Sequence, residues 1–178
     1  MFREDKATQM AARFLDLAGG RISYVKLLKM LYLADKQMLI ERGHPITYDR
    51  WYAMKHGPVL SATYNLIQGK TASTYWSEYI GTDKFDVVLK GDPGSDDLSR
   101  AEDRIIDAVY EKYRDHKTWD LVRELHEELS EWENPGSSSC EMTYKSVLQH
   151  AGFGDDDIEN ILENIDIQND IELVLGKM

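Results

Sequence analysis

Residues 24–42 are apolar around most of a helical circumference, which is the pattern of a helix at the centre of a fold. Ser23 is a suitable N-cap for this helix. Gly43 and Pro45 end it, because glycine accepts the left-handed conformation and proline cannot continue a helix. At about 100° per residue, one apolar face holds the following residues: Tyr24, Leu27, Leu28, Leu31, Ala34 and Met38. The other elements must therefore pack around this helix.

One carboxylate, Asp35, falls on the apolar side of the helix, between Leu31 and Met38. A buried carboxylate costs several kcal/mol unless it is paired or hydrogen-bonded. We therefore predict that Asp35 is a buried structural residue with a partner in the next segment. The candidates are Arg50, Lys55, His56 and the backbone amides at the start of the following helix. The alternatives are a wet boundary position, or a small-molecule enzyme that uses Asp35 and His56.

The segment after this helix, residues 46–55, is rich in β-branched and aromatic residues and is predicted to be a strand. Gly57 and Pro58 predict a tight turn, with Pro58 at or near the first position of a helix over 59–67. Aromatic residues beside a turn most often belong to a core. Four residues here nevertheless have the composition of a partner-binding hot spot: Tyr48, Trp51, Tyr52 and His56.

Alternating residues predict a hairpin of strands 75–80 and 84–90, which would join strand 46–55 in one sheet. Apolar residues at helical spacing predict the remaining helices: 5–18, 99–114 with a capping box at Ser99, a helix capped by Thr118, 143–151, and a helix from Asp155. The predicted fold class is α+β, mostly helical: a helical bundle with a small antiparallel sheet of about three strands.

A chain of 178 residues is long enough for one domain with a sizeable core. Residues 134–139, rich in Gly, Ser and Pro, predict a flexible break. We expect residues 1–134 to form the main domain. Residues 135–178 would supply the break and an acidic helical C-terminal segment that packs on the same domain.

The net charge of −11 is unevenly distributed, which bears on the partners that the chain can bind. Counting Lys and Arg against Asp and Glu, residues 1–70 have a net charge of +5 and residues 71–178 a net charge of −16. Affinity for nucleic acids depends on clustered Lys and Arg, so a strongly acidic chain binds them poorly. We expect no direct nucleic-acid partner, although the first part could offer a local basic face.

Three further features concern location and cysteine chemistry. No apolar run approaches the ~18 residues that a membrane span needs, and the first residues do not form a signal peptide. Cys140 is the only cysteine, which excludes an intramolecular disulfide and a cysteine-based zinc site. We therefore expect a cytoplasmic protein without a membrane partner.

The sequence contains no convincing catalytic or metal-binding motif, so we expect neither an enzyme nor a bound cofactor or metal. His126 is followed by Glu127 as in a metalloprotease helix, but Ser130 stands where the second histidine is needed. The acidic residues from Asp155 resemble the start of a calcium loop, but Asn160 occupies the position that requires glycine.

Three short motifs resemble one protein family. They are KLLKMLYLAD over 26–35, GHPI over 43–46, and RWYAMKHGPV over 50–59. Together they resemble the Panacea domain of the SocA-like antitoxins, a family that includes phage- and mobile-element-associated proteins named GepA. The resemblance is specific over 26–64 and continues loosely to Trp132.

The resemblance implies an antitoxin that neutralises a cognate protein toxin, encoded by an adjacent gene, through direct contact. Members pair with unrelated toxins, which implies that variable surfaces select the partner. The segment after Pro135 departs from the family pattern and is the natural specificity element. A protease adaptor that delivers the toxin for degradation is the alternative on the same scaffold. The motifs and the hot-spot composition select these partner-binding residues: Lys36, Tyr48, Trp51, Tyr52, His56 and Pro58.

Overall fold

The computed structural model describes residues 1–175, which contain eight helices and six strands. The helices are α1 (Glu4–Leu17), α2 (Tyr24–Arg42), α3 (Ser61–Ile67), α4 (Thr74–Tyr79), α5 (Arg100–Tyr113), α6 (Thr118–Glu128), α7 (Tyr144–His150) and α8 (Asp155–Leu175). The strands are β1 (Arg21–Ser23), β2 (Trp51–Met54), β3 (Gly57–Leu60), β4 (Ile80–Asp83), β5 (Asp86–Leu89) and β6 (Cys140–Met142). The predicted class, α+β and mostly helical, is confirmed.

Helix α2 lies at the centre of the fold, as its apolar circumference predicted. It contacts α1, α5, α6, α7, β1, β3 and β5, and Leu27 and Leu31 are fully buried. The side chain of Ser23 accepts a hydrogen bond from the amide of Lys26 at the start of the helix. Gly43 ends it with a φ of 76°. Both predicted bounds of α2 are confirmed, because each depends on chemistry within one turn of the chain.

The strands form two antiparallel sheets of three strands each, where the sequence predicted one. The strand order is β1-β5-β4 in the first sheet and β3-β2-β6 in the second. The hairpin β4–β5 pairs with β1 and not with β2. Backbone bonds from Tyr24 to Phe85 and from Leu89 to Gly20 extend this pairing beyond β1. The hairpin is therefore held beside the start of α2.

Residues 57–60 form a strand, where the sequence predicted the start of a helix. The fixed φ of Pro58 and its missing N–H suit an edge strand as well as the first turn of a helix. β3 is an edge strand, with Pro58 opposite Ala53 of β2. Gly57, with a φ of 99°, closes the turn between the two strands, and helix α3 begins only at Ser61.

Residues 75–79 lie in helix α4, where the sequence predicted a strand. Alternation and helical spacing are hard to distinguish in so short a run. The side chain of Ser73 caps the helix by accepting a bond from the amide of Trp76 at 3.0 Å. The rings of Tyr75 and Tyr79, four residues apart, meet with centroids 5.3 Å apart. These local contacts favour the helix.

The start of α6 also differs from its prediction. Thr118 is the first helical residue, and Lys117 occupies the N-cap position without a side-chain cap. The hydroxyl of Thr118 lies 2.9 Å from the hydroxyl of Ser23, so it links α6 to the start of α2 instead. The capping box at Ser99 is confirmed, with both bonds to Glu102 present.

The chain beyond residue 134 is attached to the same core as the rest. Strand β6 pairs with β2, with Met142 opposite Trp51. Ile158 and Ile165 of α8 are buried in the core. Each helix within residues 1–175 is too short or too polar to span a lipid bilayer.

Candidate functional site

Helix α2 carries two buried charged residues, Lys29 and Asp35, on different sides of its axis. Lys29 is 2% exposed and Asp35 is fully buried. A charge in a core requires compensating bonds, so each must be tied to a particular neighbouring segment. The two segments are residues 46–51, which follow α2, and the β2–β3 hairpin.

The carboxylate of Asp35 accepts four hydrogen bonds from one short segment. Its Oδ1 accepts from the amides of Ile46 and Thr47, both at 2.9 Å. Its Oδ2 accepts from the hydroxyl of Thr47 at 2.6 Å and from the indole nitrogen of Trp51 at 3.1 Å. Burial raises the pKa of Asp35 to about 7, and the bonds from Thr47 and Trp51 act to lower that pKa. Asp35 therefore fastens residues 46–51 to α2.

The partners of Asp35 differ from those expected. After the turn at Gly43 the chain runs back along α2, so the backbone of residues 46–47 reaches the carboxylate first. Arg50 pairs instead with Glu141, at the surface. Lys55 and His56 are exposed in the turn that follows β2.

A second carboxylate, Asp49, holds the start of helix α3. It accepts bonds at 2.9 Å from the amides of Ala62 and Thr63 and from the hydroxyl of Thr63. Burial raises the pKa of Asp49, while its bonds with α3 lower it. Negative charge at a helix N-terminus is favourable. Sequence reasoning missed this role, because the carboxylate and the helix are far apart along the chain.

Lys29 is bound by the β2–β3 hairpin. Its ammonium Nζ donates a hydrogen bond of 2.7 Å to the carbonyl of Pro58. The acceptor is a neutral carbonyl, and burial lowers the pKa of Lys29 to about 7. At about 100° per residue, Lys29 lies with Lys26 and Lys36 on the side of α2 opposite the apolar face. In the structure β3 covers Lys29 on that side, so it is a core residue.

We expect Gly57→Ala to lower the free energy of unfolding by about 1–3 kcal/mol, measured by urea denaturation. Gly57 has a φ of 99°, which L residues avoid. An added Cβ would lie 3.1 Å from Cε of Lys29 and 3.2 Å from its Nζ. The matched control is Gly20→Ala, because Gly20 has a φ of 95° and open space where its Cβ would lie. Equal losses for the two variants would exclude a contribution from the Lys29 contact.

Two exposed aromatic residues meet beside this hairpin. The ring of His56 lies edge-on to that of Trp119 in α6, with centroids 5.2 Å apart. Trp119 is 57% exposed, which is unusual for a tryptophan. An exposed tryptophan beside a histidine has the composition of a protein-contact site. The sequence analysis did not single out Trp119, because its exposure beside His56 depends on how α6 lies against the β2–β3 hairpin.

A second aromatic pair, His126 and Trp132, packs against the β2–β3 hairpin. His126 stacks on Trp132 with ring centroids 4.0 Å apart, and the indole of Trp132 donates to the carbonyl of Met54 at 3.1 Å. Burial lowers the pKa of His126, as do the positive charges of Lys29 and His56. The Nε2 atom of His126 is buried without a hydrogen-bond partner. This pair therefore serves to pack the hairpin against α6.

Three of the predicted partner-binding residues are engaged inside the fold. Trp51 is 1% exposed, and its ring packs edge-on to Tyr32 and Tyr144. Pro58 is buried in β3. Lys36 pairs at 2.6 Å with the buried carboxylate of Glu131. All three therefore make contacts within the fold, and their part in partner binding stays a prediction.

The other three keep exposed surface but lie apart. The ring of Tyr48 stacks on His44, and its hydroxyl donates to Gln168 of α8. Tyr52 lies on β2, under the guanidinium of Arg50. His56 is in the β2–β3 turn with Trp119. The candidate contact surface of this region is therefore the His56–Trp119 pair, and not one continuous patch of the six residues.

The described residues were also compared with the ligand clusters that bind metal ions. In that part of the chain, no three His, Cys, Asp or Glu side chains lie close enough to hold an ion. The acidic start of α8 is an ordinary helical turn, with Asp155, Asp156 and Asp157 all exposed.

A family model described as antitoxin SocA-like, Panacea domain, matches residues 27–133. This region runs from the first turn of α2 through α6. It contains the Asp35 and Asp49 bonds, the buried Lys29 and the His56–Trp119 pair. It excludes α1, β1, β6, α7 and α8. Searches of curated proteins and of solved structures found no match.

Proposed function

The chain belongs to the SocA-like antitoxin family defined by the Panacea domain, and from this membership we propose that it neutralises a cognate protein toxin by direct contact. The family match over 27–133 is the observation that carries the proposal. The toxin would be the product of an adjacent gene, as expected from the resemblance to antitoxins of phages and mobile elements.

The surface chemistry supports a protein partner. The His56–Trp119 pair offers an exposed aromatic contact within the family region. Residues 71–178 have a net charge of −16, which would attract a basic protein and disfavour nucleic acid. Toxins that act on nucleic acid need a basic surface, and an acidic antitoxin could cover it.

The proposal requires no catalysis by this chain. The carboxylate of Asp35 lies in the core and accepts bonds from Ile46, Thr47 and Trp51. His56 is exposed in the β2–β3 turn and is not among the residues that bond to that carboxylate. Their separate environments favour structural and contact roles over a joint catalytic role.

Growth tests the proposed function. We expect expression of the toxin gene adjacent to this one to arrest its host, and co-expression of this chain to restore growth. We also expect the two proteins to be recovered as a complex by pull-down. Absence of toxicity from both neighbouring genes, or arrest that this chain does not relieve, would contradict the proposal.

The half-life of the toxin separates direct blocking from the protease-adaptor alternative. Under direct blocking, we expect the toxin to persist at an unchanged half-life in cells that express this chain. A shorter half-life, restored when the host proteases are removed, would support the adaptor instead. The half-life is measured in the strains of the growth test, with and without the host proteases.

A further inference from the structure

Helix α8 has apolar residues on two opposite sides. Ile158 and Ile165 are buried against the core. Ile167, Ile171 and Val174 are exposed, at 55%, 53% and 64%. At about 100° per residue, the centre of this second group lies about 160° around the helix from the first. The second group therefore faces away from the body of the protein. We call it the α8 stripe.

The spacing of the α8 stripe is that of a helix that binds in a groove. Its residues occupy positions i, i+4 and i+7, so they follow one line along the helix. Helices that dock into apolar grooves use anchors at this spacing. Single exposed apolar residues are common on protein surfaces, but three in one line form a contact face.

The helix is held so that the stripe points outward. The hydroxyl of Tyr48 donates to the side chain of Gln168. The amino group of Met1 donates to the side chain of Asn169. Together with the buried Ile165, these bonds attach the middle of α8 to the body of the protein. The orientation of the α8 stripe is therefore set by contacts on the opposite side and on one flank of the helix.

The charge around the stripe determines what can bind to it. Helix α8 contains eight acidic residues and no Lys or Arg. Asp166 and Asp170, both exposed, directly precede the stripe residues Ile167 and Ile171 along the chain. A second copy of α8 would bring two acidic helices together, which like-charge repulsion opposes. The chemistry favours a basic partner.

We propose that the α8 stripe is the docking face for a basic protein with an apolar groove edged by Lys and Arg. This proposal rests on the proposed function and identifies that basic protein as the toxin. The apolar anchors would fill the groove, and the acidic residues would pair with its edges. Because α8 lies outside the family region, this contact would supply partner choice, while the shared domain supplies the scaffold.

The test replaces Ile167 and Ile171 with glutamine in the full chain. The dissociation constant for the protein encoded by the adjacent toxin gene is measured by titration calorimetry. We expect it to rise at least about tenfold, since two central apolar anchors are lost. The thermal midpoint should be unchanged, because both positions are exposed. The control is Phe85→Gln, which removes a 76% exposed aromatic residue in the turn between β4 and β5 and should leave the affinity unchanged.

A second variant tests the charges of the same helix. Asp166→Asn with Asp170→Asn should slow association about tenfold at low salt and weaken the salt dependence of binding. Unchanged binding by the glutamine variant, with tight binding by the wild-type chain, would overturn the inference alone. No binding by the wild-type chain would overturn the proposed function and this inference with it. A wild-type dimer that the glutamine variant disrupts would assign the stripe to a second copy instead.

Discussion

Asp35→Ala is expected to lower the free energy of unfolding by about 3–5 kcal/mol. The substitution leaves the amides of Ile46 and Thr47, the hydroxyl of Thr47 and the indole N–H of Trp51 without their acceptor in the core. Each buried donor without a partner costs about 1–3 kcal/mol, reduced where water enters. The measurement is urea denaturation at neutral pH, followed by circular dichroism.

Asp35→Asn separates the structural role from a catalytic one. Asparagine keeps the shape of aspartate, but one of its two polar groups is a donor and would face the donors that now surround the carboxylate. We expect a large loss of stability here too. Loss of toxin neutralisation with unchanged stability would contradict the structural role and favour the enzyme alternative. The control is Asp16→Ala in α1, an exposed position where the change should stay within about 0.5 kcal/mol.

Replacing Lys29 with methionine is expected to remove a pH dependence of stability between pH 7 and 10.5. The pKa of Lys29 is about 7 in the folded protein and 10.5 as its ordinary value. In that window the unfolded chain binds a proton that the folded chain has released, so the wild-type stability rises with pH. The destabilisation caused by burying Lys29 is therefore absent above pH 10.5 and reaches its full size as the pH falls to 7. Its slope is on the order of 1 kcal/mol per pH unit.

Urea denaturation at pH 7, 8, 9 and 10 measures this dependence. The wild-type chain should gain a few kcal/mol relative to Lys29→Met across the series. The control is Lys55→Met, an exposed lysine in the β2–β3 turn, for which the slope should match that of the wild-type chain. Parallel curves for wild type and Lys29→Met would show that Lys29 is charged in the folded state. Asp35, with a pKa also raised to about 7, titrates at the lower edge of this window, and its effect cancels because it is present in both the wild-type chain and Lys29→Met.

The elements that the sequence predicted correctly depend on neighbours within about one helical turn. The Ser23 cap, the Gly43 end of α2 and the Ser99 capping box are of this kind. At Pro58 the local sequence was not sufficient, because the geometry of proline fits both an edge strand and the start of a helix. Pairing with β2 decided between the two, and in the resulting hairpin the carbonyl of Pro58 accepts the hydrogen bond from Lys29.

In the candidate site, too, the sequence predicted the features that depend on nearby residues and missed those that depend on distant ones. The sequence indicated that Asp35 needs a partner, because a charge on the apolar side of a helix must be compensated. It did not identify the donors, since these depend on the path of the chain after Gly43. Trp51 was predicted as a contact residue from its type, but Tyr32 and Tyr144 enclose it. Tyr144 lies in α7, far from Trp51 along the chain, so the sequence of strand β2 could not indicate that Tyr144 buries Trp51.

The amino-acid sequence by itself determined the central helix, the fold class, the acidic second part and the family motifs. Each of these follows from residue type and from spacing along one segment. The tertiary structure alone decided that Lys29 and Trp51 are buried, that His56 meets Trp119, and that the α8 stripe faces outward. The reason is that burial depends on which distant segments cover a residue, and residues of the same type and local spacing can end in the core or at the surface.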